Sequence, residues 1–230
     1  MRRDVSLEEI SDGKLYGLND MVKADCQDCV GCWDCCLGMG DTVVLDPLDV
    51  HRLCVNLGKS PEELFAGELS LGVMDGNILP YLTMTGKEER CAFLDGQGRC
   101  RIHSFRPGIC RLFPLGRYYD ENTRTHQYFL QVHECRKTNR SKIKVKKWID
   151  VSNVKQYEAF VDDWHYFLRD VQEILYHTED TEKIRSLNLY VLRRFYQSPY
   201  DPAEDFYQQF YERLAEGKEI LIEEQNMLKK

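Results

Sequence analysis

Apolar residues recur every three or four positions from Val154 through Tyr157, Val161, Trp164, Leu168 and Val171 to Leu175. That spacing follows the 3.6-residue turn and predicts one long amphipathic helix. Two further stripes cover roughly residues 181–196 and 202–224, separated by Ser198-Pro199. The aromatic members of the first stripe, Tyr157, Phe160, Trp164 and Phe167, read as core rather than as a ligand pocket. Upstream the segments are short. Ser6 with Glu9 forms a capping-box pattern ahead of a short helix. Asp46-Pro47 supplies an N-cap and a first helical residue for a helix through Val50, Leu53, Cys54 and Leu57, which Gly58 ends. Ser60-Pro61-Glu62-Glu63 repeats the start signal. Residues 42–45 and 78–84 read as strands, the second with Pro80 favouring a sheet edge. Asp95-Gly96-Gln97-Gly98 predicts a hairpin that draws Cys91 and Cys100 together, and residues 117–119 pair with 126–130 in another.

This pattern predicts an α+β fold. Residues 1–147 form a cysteine-rich, metal-nucleated domain of short strands and helices, and residues 148–230 form a helical region packed on it. The 230 residues, 43% apolar and 11% aromatic, suffice for such a core. The charge of −7 argues against general nucleic-acid binding, which wants a basic face. Residues 148–230 carry 10 basic and 17 acidic side chains, so the remainder is near neutral. Seven of the twelve residues 136–147 are Lys or Arg. Without interleaved aromatics this run reads as a solvated linker or edge strand rather than an anion-binding patch.

No stretch of about 18 apolar residues occurs, so no membrane span is expected. The amino terminus has no apolar stretch of the secretory kind. A cytoplasmic location follows, and there thiols stay reduced. That changes the reading of the ten cysteines from disulfides to metal ligands or apolar fillers.

Five of them, Cys26, Cys29, Cys32, Cys35 and Cys36, fall within eleven residues; Cys91, Cys100, Cys110 and Cys135 follow. Cys54 stands apart at a helical position and reads as a filler. Two spacings overlap in the first run. Cys26-x2-Cys29-x2-Cys32-x3-Cys36 has the step of a ferredoxin cluster, and Cys29-x2-Cys32-x2-Cys35-Cys36 is the other. Adjacent Cys35 and Cys36 point in different directions, which favours a cluster or two neighbouring sites over one zinc ion. Cys110 falls in the first turn of a short helix bracketed by Pro107 and Pro114. Arg106 and Arg111 flank it, either as donors that compensate thiolate charge or as partners of surface carboxylates. His133 and Cys135 make a weak Cys–His pair, and His51, His126, His165 and His177 read as ordinary packed or surface residues.

The run C-x2-C-x2-C-C, then C-x-F-L, then C-R-I-H-x2-R-P-x2-C-R-x-F-P, resembles the YkgJ-type cysteine-cluster family of zinc- or iron-chelating proteins. Flagellin lysine N-methylases carry a related module. The resemblance covers roughly residues 26–135. It implies metal ligation by Cys29, Cys32, Cys35, Cys36, Cys91, Cys100, Cys110 and Cys135, with Arg106 and Arg111 in support. Cys26 is extra to the pattern and remains an additional candidate. His103 stands where relatives often have Tyr, which speaks against a ligand role. The cofactor implied is an iron–sulfur cluster, of 4Fe–4S type, or zinc.

Three functions stay open. The chain is a metal-binding module; or a methylase-like enzyme acting on a protein lysine; or a structural zinc domain that meets a protein partner. No nucleotide or S-adenosylmethionine loop and no P-loop supports the enzyme reading.

Overall fold

The computed structural model describes residues 6–27 and 29–228. In chain order the elements are α1 (Leu7–Ile10), β1 (Ser11–Tyr16), β2 (Met21–Asp25), α2 (Pro47–Leu57), α3 (Pro61–Phe65), β3 (Leu69–Met74), β4 (Asn77–Leu82), β5 (Met84–Thr85), β6 (Arg90–Cys91), α4 (Gly108–Leu112), β7 (Leu115–Asp120), β8 (Thr125–Gln131), β9 (Ser141–Lys144), α5 (Val145–Ile149), α6 (Val154–Tyr176), α7 (Thr181–Leu192) and α8 (Phe206–Leu228). Helices and short antiparallel strands together make an α+β fold.

Local start signals account for the helix ends. Ser6 accepts from the Glu9 amide, and Asp46 and Ser60 each complete a reciprocal capping box with a proline at the helix start. Gly58 closes α2 with φ +64, a left-handed cap that glycine adopts without a Cβ penalty. α8 begins at Phe206, later than Pro202: Asp201 accepts from the Ala203 amide in the preceding turn, and Asp205 accepts from the Gln208 amide in the first turn of the helix (2.8 Å each).

The chain separates into two compact units. One comprises residues 44–83 and 163–228. Its sheet is the β3–β4 hairpin, in register from Leu69↔Leu82 to Met74↔Asn77, with Pro80 opposite Leu71 in a two-stranded ladder where every strand is an edge. Asn188 of α7 fastens the hairpin, accepting from the Ile78 amide at 2.7 Å and donating to the Gly76 carbonyl at 3.2 Å. The core is aromatic: Trp164 and Phe195 lie 4.9 Å apart, and Phe167 and Phe195 5.3 Å apart. Gly217 of α8 is needed there, since a Cβ would sit 2.9 Å from the Phe167 ring. Arg213 gathers the carbonyls freed where the helix stops at Ser198-Pro199, donating to Arg194, Ser198 and Pro199 at 2.9, 2.7 and 2.8 Å. Residues 42–45 are not a strand. Only Val44 makes a bridge, to Tyr81, because the Leu45 amide bonds to the Pro80 carbonyl and Asp46 then turns the chain into α2.

The second unit comprises residues 6–43 and 84–162, apart from residue 28. Its largest sheet is three-stranded and antiparallel, β1-β8-β7. Three polar contacts join its hairpin to the first turns of α6. Arg117 donates to the Tyr157 hydroxyl (3.1 Å), the Tyr128 hydroxyl to Glu158 (3.0 Å), and His126 Nδ1 lies 2.6 Å from Asp162. Burial raises the Glu158 carboxyl above its usual range. The basic run becomes β9, an edge strand paired with β2, followed by α5. Lysines on an edge strand oppose pairing with another chain. The Cys91–Cys100 hairpin is looser than a ladder, with a single Leu94↔Cys100 bridge beyond the turn. No described helix is long and apolar enough to cross a membrane.

Candidate metal centre

Three local features gather the cysteines of the second unit. The first is the 26–38 loop, which reverses through turns closed by the Val30 amide on the Gln27 carbonyl and the Cys32 amide on the Cys29 carbonyl (3.3 and 3.0 Å). It ends in a 3-10 turn over Asp34–Cys36. Beyond that turn Leu37 bridges Arg90, and the Gly38 amide bonds to the Glu89 carbonyl at 3.0 Å. The end of the run is thereby tied beside β6 and Cys91.

The second feature is the 95–99 turn. Asp95 Oδ1 accepts from the amides of Gln97 and Arg99 at 2.9 and 2.7 Å, and the Asp95 amide bonds to the Arg99 carbonyl at 2.9 Å. Gly98 sits at φ +75 under the Trp33 ring, where a Cβ would meet ring carbon at 2.5 Å. Glycine is required here twice, for its dihedral and for the contact. Alanine at Gly98 should lower stability by about 1–3 kcal/mol, the range for a left-handed non-glycine residue, with the ring overlap adding to it. Urea denaturation checks this, and an unchanged midpoint would refute the docking of this turn on Trp33.

The third feature is the 100–112 segment. Arg111 is buried and donates to the carbonyls of Ser104 (2.7 Å) and Asp150 (3.4 Å), bracing the loop that carries Cys100 and His103. Arg106 donates to the His103 carbonyl at 3.0 Å and lies 2.9 and 2.8 Å from its ring nitrogens. Cys110 is the third residue of α4.

The thiols meet in pairs and share one electrostatic neighbourhood. Cys26 and Cys29 Sγ are 3.2 Å apart, and the Cys32 thiol donates to Asp34 at 3.2 Å. The hydrogen bond between them lowers the pKa of Cys26 and raises that of Cys29; the bond between Cys35 and Cys36 does the same in turn. Cys35 is the hub, since its charge is felt at Cys29, Cys32, Cys36, Cys91 and Cys100. Cys36 is also raised by Cys100 and Cys110. Arg106 lowers Cys29, Cys35 and Cys100, while Arg101 lowers Cys91 and Arg99 adds to the effect at Cys100. Burial raises Cys91 and Cys100. Cys135 is held nearby through its neighbours: Arg136 reaches Asp34 at 3.4 Å, and Lys137 donates to the Val30 carbonyl at 2.9 Å. Spacing alone carried no sign of the Trp33–Gly98 contact or of these two tethers.

Cys54 belongs to the other unit, on α2, and burial pushes its thiol up to about 11. Among the described residues no three His, Cys, Asp or Glu side chains are gathered in an arrangement that holds a metal ion. The donor set nonetheless suits a soft metal, because thiolates clustered around an arginine offer both the ligands and part of the compensating charge.

A family model named CxxCxxCC, described as "Putative zinc- or iron-chelating domain", matches residues 28–149, more than half of the chain. The chain belongs to the CxxCxxCC family. That match supports metal binding through the clustered cysteines, with zinc and iron both within the family's description. It begins after Cys26 and spans every other cysteine. No curated protein and no solved structure matches the chain.

Proposed function

We propose that this member of the CxxCxxCC family is a cytoplasmic metal-binding protein whose cysteines hold an iron–sulfur cluster of the 4Fe–4S type. The observation that supports this reading is the common field centred on Cys35, which joins thiols from the 29–36 run, from β6 and from the 100–110 segment. A cubane cluster takes four thiolates, and a closed structural zinc site takes four at most. The ligand pool is Cys29, Cys32, Cys35, Cys36, Cys91, Cys100, Cys110 and Cys135, more than one cubane cluster or one zinc ion needs. Cys35, Cys36, Cys100 and Cys110 form its centre, with Arg106 offsetting part of their negative charge. When bound, such a cluster supplies one-electron transfer and a cross-link for the surrounding loops. A reducing compartment keeps the thiols available for it.

Metal and sulfide analysis after anaerobic purification tests the reading. We expect iron and acid-labile sulfide near about four of each per chain, the content of a cubane cluster, with visible charge-transfer absorption. Stoichiometric zinc without sulfide would overturn it in favour of a structural zinc domain.

A further inference from the structure

Cys26 lies outside the matched segment, yet it is the one buried cysteine of the first run. Its sulfur lies 3.2 Å from that of Cys29, within about 1 Å of the 2.05 Å length of a disulfide bond. The turn carrying the pair is anchored at its start. Asp25 accepts from the Gln27 amide at 2.9 Å and from the Ser141 hydroxyl of β9 at 2.8 Å. Gln27 and Cys29 are both held at positive φ, +54 and +56, a conformation that costs free energy and that the surrounding bonds enforce. Cys35 and Cys36, also hydrogen-bonded to each other, are adjacent in sequence, and a disulfide between neighbours must distort the peptide between them. Cys26 and Cys29 combine close approach with two intervening residues, so a bond between them does not force that distortion.

We propose that Cys26 and Cys29 are an oxidation site, a dithiol that closes to a disulfide and withdraws Cys29 from the ligand pool. The oxidant is a hydroperoxide. One sulfur attacks the peroxide oxygen, the O–O bond breaks, and a sulfenic acid forms with release of water or alcohol. The second sulfur attacks the sulfenic sulfur, forms the S–S bond and expels water. The two sulfurs together lose two electrons, and the peroxide gains them. Two equivalents of a small thiol reverse the step by exchange, leaving that thiol as its own disulfide. The consequence for metal rests on the proposed function above; the disulfide does not.

The test uses the full chain as isolated anaerobically, beside Cys26→Ser and Cys26→Ala. Hydrogen peroxide is added in stoichiometric steps, with differential alkylation, tandem mass spectrometry of tryptic peptide 24–52 and metal release followed together. In the wild type the first linkage should join Cys26 to Cys29, reverse with dithiothreitol and accompany metal release. Before oxidation both variants should carry wild-type metal, and on peroxide they should release it several-fold more slowly. A first linkage elsewhere, equal release rates, or metal-poor variants before oxidation would each overturn the proposal. The last of these would make Cys26 a ligand. If even the wild type carries no metal, the proposed function fails while the thiol map still decides the oxidation site.

Discussion

Serine at Cys36 or at Cys110 should strip the chain of its metal, whereas alanine at Cys54 should leave metal content unchanged. Cys36 comes from the crowded run and Cys110 from α4, and the charge of Cys110 is felt at Cys36. Each therefore supplies a donor that the other half cannot replace. A hydroxyl is a far poorer ligand than a thiolate for a soft metal. Removing a mere supporting partner of a ligand costs about 10- to 100-fold in affinity, so loss of a ligand itself should exceed about 100-fold. Cys54 lies in the other unit, among α2 residues that include buried Val50 and Leu53. Its truncation should cost only about 1 kcal/mol, as for loss of a small part-buried group. Metal content per folded chain, measured after anaerobic gel filtration, checks all three variants. Equal loss in all of them would mean that the ligand pool is drawn wrongly.

Chelation under reducing conditions should melt residues 26–43 and 84–135 while residues 163–228 stay helical. The first group lies in a unit whose sheets have two or three strands and whose α1, α4 and α5 span four or five residues. Two-stranded sheets and helices of that length are marginal in water. Structural metal in small domains contributes about 10–16 kcal/mol of apparent binding free energy, and that energy is folding energy. The other unit rests on its aromatic core and on α8 of 23 residues, neither of which needs metal. Limited proteolysis and hydrogen exchange should therefore report loss of protection around Trp33 and Cys100, with the far-ultraviolet helical signal largely kept. Unchanged near-ultraviolet dichroism and unchanged proteolysis after verified metal removal would count against a metal-nucleated unit.

Where order is set by neighbours in the chain, the sequence was legible. Three-and-four spacing marked α6, and cap, proline and glycine marked both ends of α2, because these signals act within a turn or two. The hairpin of β7 and β8 and the turn at Asp95 were readable for the same reason. β1, β2 and β3 were not. Their alternation is short or interrupted by charge and glycine, and β1 and β2 find their partners, β8 and β9, more than a hundred residues later. The apparent strand at 42–45 failed because pattern cannot say whether an extended segment meets a neighbour along its length or at one residue.

By itself the sequence determined that the chain is a thiol-rich metal binder, since nine of its ten cysteines, clustered at ligand spacings, state their chemistry without a fold. Only tertiary structure decided which thiols share a field and which arginines act on them. It also set Cys54 apart in the other unit and brought Cys26 against Cys29. Coulomb interaction and sulfur contact depend on distances between side chains, and those follow from how Trp33 meets Gly98 and how Leu37 meets Arg90 rather than from the spacing of cysteines along the chain.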